Sequence, residues 1–275
     1  MSVNTSKLER IKVFIKTAKE FILTRFDRLI HSKTFKIVID FLKWQNLRLH
    51  LSHAKEIIVD FTKQQPKTAF FIYTCLFCAF SIAFLDKPFA ISRLKLPDQG
   101  FFFRVAEWNP AGWWFLFLII FWLIYMATAG LSLTTEVFEK NLIKARAVLF
   151  ILLTLSISSL TTLILNILVG RYTPEFLDSM NLYGFSALRF RVSETSFPSF
   201  DVQSAWAVAM ATGSCLPRFK RLFCFIAGII TLSVVLTAQC FISDAVMGTY
   251  IGIIMYYAAS WIVSENRENI PLISA

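Results

Sequence analysis

The stretch AVLFILLTLSISSLTTLILNILV, residues 147–169, decides the fold, because it runs for 23 residues without one ionisable side chain. Crossing the hydrocarbon core of a bilayer takes roughly 17–25 predominantly apolar residues in a helix. A soluble domain of this length has one or two cores, and could not hide several separate runs of that kind. Outward from this stretch the runs recur, at about 68–85 and 112–131 before it and at 202–216, 222–239 and 245–263 after it. Over the whole chain 56% of residues are hydrophobic, 29 are Phe, and the mean hydropathy is +0.60, well above soluble domains. The fold class expected is all-α, a polytopic membrane bundle of about six spanning helices. The segment 202–216 is the shortest of the six, and Pro217-Arg218-Phe219-Lys220-Arg221 makes a tight basic turn into the next.

Net charge is +10, and 14 of the 28 Lys and Arg lie between Lys7 and Lys67. They are interleaved with apolar residues and form no nucleic-acid-binding motif, so a membrane surface is the expected partner. Leu8, Ile11, Ile15 and Ile22 recur near helical spacing, with Lys12, Lys16 and Lys19 on the other side. Residues 1–66 are therefore expected to form a cytoplasmic basic amphipathic helical arm. Anionic headgroups would hold such an arm at up to about 1 kcal/mol per basic residue, screened by salt; a solvated helical extension or a partner-binding arm is the alternative. Residues 67–265 form the expected transmembrane domain and 266–275 a cytoplasmic tail.

Topology follows from the loops. With the N-terminus inside, inner segments hold 21 Lys and Arg and outer loops 7, so both termini are expected in the cytoplasm. Trp108, Trp113 and Trp114 then sit at the outer entry of the second span, where amphipathic rings prefer the headgroup layer. The first 60 residues lack the uninterrupted apolar core of a cleavable signal, and a bacterial inner (plasma) membrane suits that pattern. Of the five cysteines, Cys75 and Cys78 spell C-x-x-C in mid-span with no histidine near. Packed thiols are expected there, with no metal and no cofactor.

Polar clusters at the ends of membrane helices are informative, because ionisable groups there are costly unless they face a polar interior. Three occur, all at outer ends: residues 166–174, 198–203 and 239–244. Gly170-Arg171-Tyr172-Thr173-Pro174 looks like a G-R-x-R-P segment, Ser196-Phe197-Pro198-Ser199-Phe200-Asp201 like S-F-P-S-G-H, and residues 240–248 like H-x-x-S-D-x-x-x-G. With these segments in this order, residues 85–263 resemble the type 2 phosphatidic acid phosphatase and haloperoxidase superfamily, as found in bacterial membrane lipid phosphatases. The resemblance implies a phosphate clamp of one Lys and two Arg, a His that protonates the leaving oxygen, and a second His, oriented by an Asp, that attacks phosphorus.

Carried over residue by residue, the clamp lysine falls on Asn166, its arginines on Thr173 and Val234, the acid histidine on Asp201, the nucleophile on Cys240 and the orienting acid on Asp244. Only Asp244 keeps the family's residue type. The three histidines, His31, His50 and His53, all precede the first span. A cysteine can attack phosphorus once its pKa is lowered by cations, but Asp244 four residues on opposes the thiolate. Arg171, Arg189 and Arg191, with Ser199, are the candidates for holding an anionic headgroup; interfacial snorkelling is the plainer role for the arginines. Asp201 and Asp244 equally suit helix N-termini, whose dipole favours acids.

Three readings stand side by side. The first is a superfamily member with replaced catalytic residues, weak or inactive, that holds a lipid phosphate headgroup at the outer face. The second is an active lipid phosphatase using unconventional residues on phosphatidate, a polyprenyl diphosphate or a lipid A phosphate. The third is a structural or regulatory membrane protein, or a small transporter, that works through its basic arm. No residue pattern names a protein partner.

Overall fold

The structure, a computed structural model, describes residues 55–56, 59–94, 100–108 and 111–265. The tail 266–275, the three histidines and nearly all of the expected N-terminal arm lie outside the described residues. The chain divides into two compact units, Met1–Ala69 and Phe70–Ala275; the second, with the helix leading into it, carries the site.

Among the described residues there is no strand, and the long helices follow the apolar runs. They are α1 (Pro66–Phe84), α4 (Ala111–Gly130), α5 (Thr135–Val169), α7 (Phe200–Cys215), α8 (Lys220–Leu236) and α9 (Ile242–Glu265). Three short helices connect them: α2 (Asp86–Leu94), α3 (Phe101–Glu107) and α6 (Pro174–Met180). Large apolar side chains such as Phe77, Phe80, Ile120, Phe121, Ile124 and Leu160 stay exposed on these helices. In water that surface would drive aggregation, whereas in lipid it is the ordinary outer face of a bundle. The chain is an integral membrane protein.

Among the described residues, five helical segments are long and apolar enough to cross a membrane, and α7 is not among them. Its 16 residues span about 24 Å, against a hydrocarbon core of about 30 Å. It nevertheless runs between the same two ends as its neighbours. Its start lies beside the end of α5 and the start of α9, through Asn166 on Pro198 and Ser199 on Asp244. Its end lies beside the start of α8, where Gly213 meets Lys220. The reason it can be short and rich in Ala and Ser is position: nine of its residues, from Val202 to Gly213, are buried among other helices. Among the described residues, four of the apolar helices, α4, α5, α8 and α9, thus pack against the shorter α7.

Helix α5 differs in the other direction, starting at Thr135, twelve residues before the apolar stretch. Apolarity marks where lipid begins, and the helix continues beyond it because nothing in residues 135–146 breaks it.

The centre of the bundle is closed by the approach of α9 to α7. Gly248 and Gly252 form a G-x-x-x-G pair, and a Cβ on Gly252 would lie 2.8 Å from the Gln203 carbonyl and 2.8 Å from the Trp206 Cβ. Small residues at this spacing let helix backbones approach closely in membranes. Gly252→Leu is expected to push α7 and α9 apart at a cost of about 1–3 kcal/mol. Gly228→Leu, where an added Cβ meets nothing within 4 Å, is expected to leave the thermal midpoint in detergent near wild type. Equal midpoints for the two variants would contradict this packing.

Candidate functional site

The three polar stretches converge at one end of the bundle. Helix α5 stops at Gly170, whose φ of 59° reverses the chain while its N–H donates to the Asn166 carbonyl at 2.9 Å. The next residues are pinned by a returning loop: Ser186 donates to the Gly170 carbonyl at 2.8 Å and Ser196 to the Arg171 carbonyl at 2.9 Å. The reversal turns the Arg171 side chain into the bundle, where it is 0% exposed.

Two carboxylates meet it there. Arg171 donates from Nη2 to Asp86 Oδ2 at 2.8 Å, and from Nη1 to Asp244 Oδ1 and Ser243 Oγ, each at 2.5 Å. Nη2 also reaches the Tyr183 hydroxyl at 3.1 Å. The guanidinium lies 4.1 Å from the Phe241 ring centroid, a cation–π stack that covers its face. Asp86 is equally engaged: its Oδ1 accepts from Ser81 Oγ at 2.7 Å and from the Ser243 N–H at 3.2 Å. Asp244 Oδ2 accepts from the Phe241 N–H at 3.0 Å. Asp86, Ser243 and Asp244 are all 0% exposed. Burial alone would lower the Arg171 pKa, but Asp244 and Asp86 outweigh it and hold it above its ordinary value.

The remaining family-equivalent positions add no cation to this cluster. Asn166 is buried, and its Nδ2 donates to the carbonyls of Thr162 at 3.1 Å and Pro198 at 3.0 Å. Val234 and Cys240 belong to one apolar cluster with Val202 and Ala245. Cys240 is 5% exposed, and burial, followed by the nearby Asp244 carboxylate, pushes its thiol well above the usual range. Asp201 lies in the first turn of α7, where Oδ1 accepts from the Ala111 N–H at 3.1 Å and ties the start of α4 to that of α7. Thr173 stands apart as the N-cap of α6, with its Oγ1 buried and without a partner.

Of the headgroup candidates, Ser199 caps α7, accepting from the Val202 N–H at 3.5 Å, and is buried. Arg189 and Arg191 lie in the returning loop and both pair with Glu194, Arg191 at 3.2 Å. Arg189 holds the Glu194 carboxyl below the usual carboxylate range, with Arg191 assisting. Arg189 also covers the Tyr172 ring at 4.5 Å, while the Arg191 side chain is 80% exposed. Cys78 sits in the same layer as the ionic cluster, its thiol donating to the Ser243 carbonyl at 3.5 Å.

Sequence reasoning did not single out Asp86 or Tyr183. A signal for Asp86 existed: it is the acid that directly ends the apolar run 68–85, and an arginine among apolar residues requires such a partner.

Residues 147–268 match the family model described as the PAP2 superfamily. No curated protein and no solved structure matches the chain.

Proposed function

Through residues 147–268 the chain belongs to the PAP2 superfamily, and on that premise we propose that it keeps the lipid phosphatase scaffold without phosphoryl-transfer activity. The observation that carries this reading is the partner of Asp244. Phosphoryl transfer depends on positioned cations that neutralise the transferring group, and on a nucleophile held by an orienting base. Here the retained acid is ion-paired to Arg171, and Asp86 on the other nitrogen brings the cluster to a formal charge of minus one. An incoming phosphate meets repulsion where the family needs attraction. The thiol at the nucleophile position is buried beside that same carboxylate, so the reactive thiolate is suppressed.

A lipid phosphate reaching this end of the bundle would meet Arg191 and Arg189 in the loop, and we assign any headgroup contact to them. The excess of basic residues at the opposite end supports an orientation with both termini cytoplasmic and the degenerate site at the outer face. A bacterial inner membrane fits that arrangement.

Purified protein is expected to release no phosphate above the protein-free level from phosphatidate, a polyprenyl diphosphate or a lipid A phosphate. Release by the wild type that Cys240→Ser removes would establish an unconventional phosphatase, and release that survives Cys240→Ser would equally overturn the inactive reading.

A further inference from the structure

Away from the degenerate site, α4 and α8 flank α7, and a groove runs over one of its faces between them. The floor of the resulting groove is small, made by Ala205, Ala209 and Thr212 of α7, and its walls are apolar side chains of α4, α5 and α8. Its volume is about 760 Å³, within the range of sites that hold small molecules. Phe117, Phe121 and Ile226 line it and are themselves exposed, so the groove opens sideways to lipid.

Two features say what fills it. Along α4 the lining runs from Trp114 to Tyr125, about 16 Å at the rise of an α-helix. That is close to half of a hydrocarbon core of about 30 Å, the depth of one leaflet's acyl chains. Charge is present at one end alone: Lys144 is the single ionisable side chain in the lining apart from Tyr125 and Cys215. Its ammonium lies 5.7 Å from the Tyr125 ring centroid, and among the described residues no carboxylate pairs with it. The same end carries Arg218, Lys220 and Arg221 in the turn from α7 to α8. An unpaired cation at the mouth of an apolar groove one leaflet deep is complementary to an amphiphile with an acidic head.

We propose that this groove is a binding site for one acyl chain of an anionic phospholipid, whose acidic headgroup is held by Lys144. The headgroup lies at the end of the bundle opposite to Arg171 and Asp244. The site is therefore separate from the degenerate one, and does not depend on whether that one is active.

The test uses the full chain, purified in neutral detergent and incubated with equimolar phosphatidylglycerol and phosphatidylcholine of identical acyl chains, with retained lipid counted by native mass spectrometry. Phosphatidylglycerol is expected to be retained several-fold over phosphatidylcholine. Lys144→Ala, a change at an exposed side chain, brings the ratio to parity, whereas Lys140→Ala, whose partner is Glu136, leaves it unchanged. Thr212→Phe fills the floor and lowers retention of both lipids. Parity in the wild type, an unaltered ratio in Lys144→Ala, or an equal loss in Lys140→Ala would each overturn the site in favour of diffuse surface charge. A dimer that carries no lipid and that Thr212→Phe dissociates would assign the groove to a second copy of the chain instead.

Discussion

Arg171→Met is expected to be the most destabilising single substitution at the site, costing about 3–5 kcal/mol, because it strips the counterion from two buried carboxylates at once. Asp86 and Asp244 would be left facing each other at 0% exposure, with no water to dilute the repulsion. Asp86→Asn is expected to cost distinctly less. It leaves Arg171 with Asp244 as a one-to-one pair of zero net charge, and an amide at position 86 still offers an oxygen to Ser243. The two variants are compared by the loss of helical circular dichroism on heating in detergent, with the monodisperse fraction on gel filtration as a second readout. The ranking separates two roles for Arg171. An arginine kept to hold a headgroup would leave the fold indifferent to its removal, so a wild-type midpoint for Arg171→Met would return it to that role. A midpoint lowered further by Asp86→Asn than by Arg171→Met would show that the charge assignment of the cluster is wrong.

That cluster also shows how far the residues could be read without coordinates. The spans at 112–131 and 245–263 fall within a few residues of helices Ala111–Gly130 and Ile242–Glu265, and the span at 147–169 ends with helix Thr135–Val169. Apolarity is what lipid selects, so those edges are written locally. The length of α7 was less legible, because a helix shielded by its neighbours is not required to be apolar along its whole surface or as long as the bilayer is thick. Convergence of residues 166–174, 198–201 and 240–244 was legible from helix order, since an alternating bundle places those ends together. The identity of the Arg171 partner was not. Asp86 lies 85 residues away, and an acid at the end of an apolar run reads the same whether it faces headgroups or a buried guanidinium. Gly248 and Gly252 carried a readable spacing, and their meaning depended on α7 lying opposite them.

Gly170→Ala is the second substitution expected to have a large effect, and the reason lies in geometry more than in backbone preference. At φ 59° a residue with a Cβ occupies the left-handed region at a cost of about 1–2 kcal/mol. The added Cβ would also stand 1.9 Å from the Ser186 carbonyl oxygen and 2.7 Å from its carbon, and backbone cannot step aside as a side chain does. Relieving that overlap means moving the returning loop, whose Ser186 N–H bonds the Gly170 carbonyl and whose Tyr183 contacts Arg171. The combined cost is expected to be roughly 2–5 kcal/mol, read as a lower thermal midpoint in detergent. Gly184→Ala isolates the backbone term: its φ is 139° but an added Cβ meets nothing within 4 Å, so it is expected to lose less. Gly170→Asn completes the comparison, since asparagine tolerates positive φ yet carries the same Cβ. If Gly170→Asn proves as stable as wild type, the close approach of the loop is not what demands glycine. If it falls with Gly170→Ala, the turn that points Arg171 inward is set by the space available beside Ser186, and the ionic cluster depends on a residue that carries no charge at all.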